Sequence, residues 1–222
     1  MIDLHSPELR LSAVCAAVAE AAHKAQRSAA AVMLIAVSKM HDGDAIRPLI
    51  AAGHRVFGEN RVQEAAAKWP GLRDETPCIA LHLVGQLQSN KADDAVALFD
   101  AIHSVDRPSL VTALAKAMDK ADKRPACFVQ VDLADEPQKG GCAVADLRML
   151  LRQARTANLP VAGLMTVPPN GREPAPWFAL LAKLANDNGL TGLSMGMSND
   201  YRTAVTLGAT HVRVGTALFG AR

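Results

Sequence analysis

Lys39 follows a continuously apolar run, Ala31-Val-Met-Leu-Ile-Ala-Val37, with only Ser38 between. A lysine so placed can snorkel to the surface, as most do. It can also present a primary amine able to form a Schiff base with a carbonyl compound. Spacing alone leaves both readings open. A second group, Met195-Gly-Met-Ser-Asn-Asp200, precedes a helical segment with Ser198 as its natural N-cap. A helix start offers free backbone N–H groups and a positive dipole end, although an ordinary capped helix looks the same. Arg213 sits between Val212 and Val214. Alternation puts Arg213 and Gly215 on one face of a strand and the two valines on the other. If the arginine face is interior, its guanidinium points at whatever is held there. The competing reading is an ion pair with Glu59 or Asp132.

Those residues need a scaffold, and the hydrophobic pattern supplies one. A segment from about Ser6 to Ser28 carries Leu9, Val14, Ala17, Val18 and Ala21 at helical spacing. Strands are then expected at residues 31–37, 54–57, 79–84, 100–104, 127–133, 161–165, 192–195 and 211–214. Between them, helices fit about residues 42–53, 61–68, 86–97, 108–122, 144–157, 174–188 and 200–207. Eight strands alternating with helices, after one extra N-terminal helix, predict an α/β chain folded as a (β/α)8 TIM barrel. A doubly wound open sheet is the alternative for the same alternation. No linker or composition break divides the sequence, so residues 1–222 are expected to form one domain.

Barrels place function at the C-terminal ends of their strands. Here those ends carry Lys39, Glu59-Asn60, His82, Asp132, Ser198, Arg213 and Gly215-Thr216. The loops after the seventh and eighth strands are small-residue loops that would lie side by side, which is where barrels commonly hold a phosphate. A phosphorylated ligand is therefore expected.

Composition narrows the classes further. The chain has 222 residues, 24 Lys+Arg against 22 Asp+Glu, and half its residues are hydrophobic. That balance excludes a disordered chain and gives too little positive charge for a nucleic-acid footprint. The four cysteines, Cys15, Cys78, Cys127 and Cys142, lack zinc-ligand spacing, so no metal is expected and reduced thiols are. No signal peptide is visible, and the longest apolar run is far shorter than the ~20 residues a membrane helix needs. A cytoplasmic protein is expected.

The motifs then carry a resemblance. Ala36-Val-Ser-Lys39, Phe57-Gly-Glu-Asn60 with Val62-Gln-Glu64, and His82-Leu-Val-Gly-Gln-Leu-Gln-Ser-Asn-Lys91 come first. Ile102-His-Ser-Val-Asp106, Gly163-Leu-Met-Thr-Val-Pro-Pro169, Leu193-Ser-Met-Gly-Met-Ser198 and Val212-Arg-Val-Gly-Thr216 with Phe219-Gly220 follow in order. Together they resemble the pyridoxal phosphate homeostasis proteins, which are similar to the N-terminal barrel domain of alanine racemase standing alone. The resemblance implies pyridoxal 5′-phosphate (PLP) held as an internal aldimine by Lys39. It also implies phosphate contacts from Ser198, Gly215 and Thr216, Arg213 facing the pyridine nitrogen, and Asn60 beside the ring. Asp132 departs from the family pattern, where Asn usually follows Gln-Val.

Two function classes follow. The leading one is a carrier that buffers PLP and regulates vitamin B6 and amino-acid homeostasis without significant turnover. Free amino acids and PLP-dependent apo-enzymes are the partners this implies, with no nucleic acid and no membrane. The alternative is a PLP-dependent racemase or related enzyme. An always-protonated arginine against the ring nitrogen weakens the ring as an electron sink. Racemisation also needs a second acid/base, which alanine racemases take from a C-terminal domain. The sequence ends six residues after Thr216, so that domain is expected to be missing, which also favours a monomer. A third reading, a barrel enzyme for another phosphorylated metabolite, keeps Lys39 as its Schiff-base residue. Lys139, in the Glu136–Gly141 loop, is a candidate transient acceptor of PLP during exchange, although a solvated loop lysine reads the same.

Overall fold

The computed structural model describes residues 6–220. Eight parallel strands close on themselves: β1 (Met33–Val37), β2 (Val56–Glu59), β3 (Ala80–Leu83), β4 (Ala101–Val105), β5 (Ala126–Asp132), β7 (Val161–Met165), β8 (Gly192–Ser194) and β9 (His211–Val214). Their order is β4-β3-β2-β1-β9-β8-β7-β5, and a β4–β5 pairing seals the ring. The barrel expectation is met and the open sheet is not, because an open sheet has no such closing pair. A further short strand, β6 (Cys142–Ala143), extends β5 through Val131 and Asp132. The sequence reading missed it. Two residues are too few to show a period.

The helices are α1 (Pro7–Lys24), α2 (Gly43–Ala51), α3 (Val62–Glu75), α4 (Ala92–Leu98), α5 (Pro108–Ala121), α6 (Leu147–Thr156), α7 (Ala175–Asp187), α8 (Tyr201–Thr206) and α9 (Thr216–Phe219). Apolar stripes on the longer helices face inward around the ring, except that α1 packs mainly against α8 and α9. On α5, Leu110, Val111, Leu114, Ala117 and Met118 are buried at helical spacing. The expected helix at 61–68 runs on to Glu75 despite Pro70, because Trp69 and Leu72 are buried against the barrel. Burial of two large side chains outweighs one lost backbone bond. The helices expected at 86–97 and 144–157 instead begin as 3-10 turns, at Ser89–Lys91 and Val144–Asp146.

The extra helix α1 is fastened to the last βα unit. Arg10 Nε donates to the Leu218 carbonyl at 2.7 Å, and Arg27 donates to the Val205 and Ala209 carbonyls at 2.6 and 2.8 Å. Inside the ring, small residues let strands and side chains meet. A Cβ on Gly163 would stand 2.0 Å from the Gly192 carbonyl oxygen, so only glycine fits there. Among the described residues no helix is long and apolar enough to cross a membrane.

Candidate functional site

Because every barrel strand runs the same way, Lys39, Asn60, Ser198, Gly215 and Thr216 all follow strand C-termini and share one face of the ring. Lys39 is two residues past β1, Asn60 one past β2, Ser198 four past β8 and Gly215 one past β9. Register ties these ends together: Val37 stands opposite Gly58, and Gly58 opposite His82. The backbone packs tightly between two of them. A Cβ on Gly85 would lie 2.2 Å from the Asn60 carbonyl oxygen, so glycine there lets the chain after β3 seat Asn60.

Ser198 does not cap α8. Asp200 holds the cap position, and its Oδ1 accepts the Met197 N–H at 2.6 Å. Ser198 Oγ turns the other way and accepts the N–H groups of Gly215 and Ala217 at 3.2 and 3.3 Å. The expected adjacency of the two small-residue loops is therefore real, although its hinge is a hydroxyl between loops rather than a helix cap. The short helix α9, which starts at Thr216, was missed because four residues show no period.

Arg213 points into the ring, as alternation requires. Its Nη1 donates to Ser194 Oγ at 2.7 Å and its Nη2 to the Thr166 carbonyl at 2.9 Å. It is 5% exposed and, among the described residues, makes no ion pair. The competing expectation of a Glu59 or Asp132 partner fails. Glu59 faces outward and pairs with Lys68, and Asp132 Oδ1 accepts the Ala134 N–H within its own turn. Burial pushes the Arg213 pKa down to about 10, with Asp200 pulling the other way. At neutral pH it remains a buried cation.

Below Arg213 lies a polar cluster that the sequence reading did not assemble. His103 Nδ1 meets Ser194 Oγ at 2.8 Å, and His103 Nε2 meets His82 Nδ1 at 2.9 Å. Arginine can only donate, so Ser194 Oγ accepts from Arg213. His103 bridges that hydroxyl and the His82 ring, one ring nitrogen to each. Phe128 stacks on His103 at 4.3 Å and meets His211 edge-on at 4.8 Å. Burial drives the pKa of His82 and of His211 down to about 4, and holds that of His103 well below the usual imidazole value. All three are neutral at pH 7.

Lys139 is part of a 3-10 turn, Pro137–Lys139, rather than a free loop. Its Nζ donates to the Pro168 carbonyl at 3.1 Å and pairs with Glu136 at 2.8 Å. Gln130 Nε2 donates to the Lys139 and Gly140 carbonyls and holds the turn down.

Comparison with known proteins adds the family. The family model described as alanine racemase, N-terminal domain, matches residues 13–222. A protein of Pseudomonas aeruginosa named pyridoxal phosphate homeostasis protein is 40% identical, covering 96% of this chain and 94% of its own length. This chain belongs to that family. The like-named protein of Aquifex aeolicus is 35% identical over 96% of the chain and 97% of its own. The structure of PipY from Synechococcus elongatus with PLP bound superposes with a TM-score of 0.80 at 43% identity, covering 91% of this chain and all of that one. Alanine racemase from Bartonella henselae, at 15% identity and a TM-score of 0.73, shares the fold over 60% of its length.

Proposed function

We propose that residues 1–222 act as one PLP-binding barrel domain that buffers and carries the cofactor, and so regulates vitamin B6 and amino-acid homeostasis, without significant turnover. The observation that carries this reading is Arg213, a buried guanidinium at the strand C-termini that makes no ion pair among the described residues. A pyridine nitrogen lone pair suits such a donor. The residues around it fit the rest of the cofactor. The Gly215 and Ala217 N–H groups, which now converge on Ser198 Oγ, are donors for a phosphate beside Thr216. Asn60, one residue past β2, would lie beside the ring, and Lys39 would supply the amine. The PipY relative's structure with PLP bound supports PLP as the ligand of this barrel.

PLP brings an aldehyde for imine exchange and a pyridine ring that withdraws electrons. This chain restrains the second property. A protonated Arg213 beside the ring nitrogen opposes its protonation, and the Ser194–His103–His82 chain holds that arginine in place. A second acid/base for carbon chemistry also lacks a candidate among the described side chains in contact with Arg213. The sole tyrosine, Tyr201, is on α8 against Arg202, and the three histidines bond one another or pack in the lumen. Exchange of amines at Lys39 needs neither function, which suits a carrier whose partners are free amino acids and apo-enzymes. The test is solvent-deuterium incorporation at Cα of alanine or serine with the PLP-loaded protein. No incorporation beyond free PLP is expected; rapid exchange that vanishes in Lys39→Ala would make the protein an enzyme.

A further inference from the structure

The turn that carries Lys39 is gripped from outside the barrel. Lys68, on α3, reaches under it with its side chain 10% exposed. Its Nζ donates to the carbonyls of Ser38 and His41, at 3.0 and 2.8 Å, one on each side of Lys39. Two carboxylates hold that ammonium: Glu59 Oε1 at 2.7 Å and Glu64 Oε1 at 3.3 Å. Glu64 also accepts the Met40 N–H. Glu59 is fully buried, and the same oxygen accepts Ser38 Oγ at 2.7 Å and Trp69 Nε1 at 3.0 Å. Met40 itself sits at φ 63, a left-handed conformation that a non-glycine residue keeps only when its surroundings impose it. On the far side, the His41 ring stacks on Phe219 of α9 at 4.5 Å, linking this turn to the Gly215–Thr216 loop.

We propose that Lys68 is a positioning residue for Lys39: bound by Glu59 and Glu64, it clamps the Ser38–His41 turn and so sets where the Lys39 amine emerges. The proposal rests on Lys39 being the cofactor lysine. The need for lysine is chemical. The three rotatable donors of a compact ammonium go to the Ser38 and His41 carbonyls and to Glu64, while Glu59 pairs with its charge at 2.7 Å; a planar guanidinium has no such compact, rotatable head. A buried pair of this kind is costly to assemble and worse to break on one side only, so its presence beneath one turn marks that turn as held on purpose.

The test compares the parent protein with Lys68→Met and with Glu59→Gln/Lys68→Met, which removes the buried Lys68–Glu59 pair together and leaves only the partly exposed Glu64 charge. Melting curves and circular dichroism identify folded variants. Amide hydrogen exchange in the apo-protein then reads the Met40 and His41 amides, and stopped-flow mixing with PLP followed by borohydride trapping reads adduct formation at Lys39. In the folded double variant both amides are expected to exchange at least about tenfold faster while β1 amides do not, and the Lys39 adduct to form at least about tenfold more slowly. Parent-like exchange, or parent-like adduct formation in spite of faster exchange, overturns the proposal. If the parent itself formed no adduct at Lys39, the cofactor assignment would fall, and the exchange measurement would still decide whether Lys68 holds the turn.

Discussion

Lowering the pH should loosen this barrel well before its surface carboxylates titrate. His82 and His211 are held near pKa 4, chiefly by burial and then by neighbouring positive charge, His211 for the first and Arg213 for the second. In the unfolded chain both return to ~6.5. A base whose folded pKa is depressed binds its proton more readily unfolded, so the stability is present above ~6.5 and is lost as pH falls toward ~4. Between about pH 7.5 and about pH 5, one such group removes ~2 kcal/mol. His82 is 5% exposed and takes the full figure; His211 is half-buried and takes somewhat less. His103, fully buried and lowered in the same direction, adds to the same slope. A combined loss of ~4 kcal/mol or more is a large share of the ~5–15 kcal/mol that holds a typical domain. Urea unfolding of the apo-protein at several pH values measures this directly. His82→Gln should flatten the pH dependence by ~2 kcal/mol whatever it does to stability at pH 7.5. Equal stabilities at the two pH values, or a slope that His82→Gln leaves unchanged, would refute the buried neutral cluster.

Ser198→Ala with Thr216→Ala should weaken PLP far more than pyridoxal, since each hydrogen bond to a charged group contributes ~1.5–3 kcal/mol. Titration of both ligands checks it, and equal losses would move the phosphate elsewhere. Gly85→Ala should displace the Asn60 backbone and lower PLP affinity measured by equilibrium dialysis, because its Cβ would fall 2.2 Å from the Asn60 carbonyl; unchanged affinity would separate Asn60 from the ring. Gly163→Ala should cost ~1–3 kcal/mol or more in urea unfolding by forcing β7 from Gly192.

The parts of this protein that repeat were readable from its residues. Alternation of apolar runs with amphipathic segments located eight barrel strands, and parity along Val212-Arg213-Val214 put the arginine on the face opposite the two valines, without deciding which face is the interior. The same parity rule, applied to His211, His82, His103 and Ser194, would have assembled the lumen cluster; each looked like a lone polar residue in an apolar run. What parity cannot give is the identity of partners across the ring. Arg213 found a hydroxyl and a carbonyl instead of a carboxylate because Glu59 sits on the outward face, where Lys68 and Trp69 of α3 claim it. That helix was expected to stop at Lys68, and so the side chains beyond it had no assigned place. Ser198 was misread as a cap because local spacing favours capping, while its actual donors lie 17 and 19 residues away on another loop.

The central claim is that Lys39 carries PLP, and trapping tests it most directly. Protein loaded with PLP is scanned for visible absorbance, reduced with borohydride, digested and mapped by mass. A visible band that reduction abolishes, a single major modified peptide containing Lys39, and loss of both in Lys39→Ala are expected. Cofactor trapped mainly on Lys68, Lys91 or Lys139, or a band that survives Lys39→Ala, would contradict it.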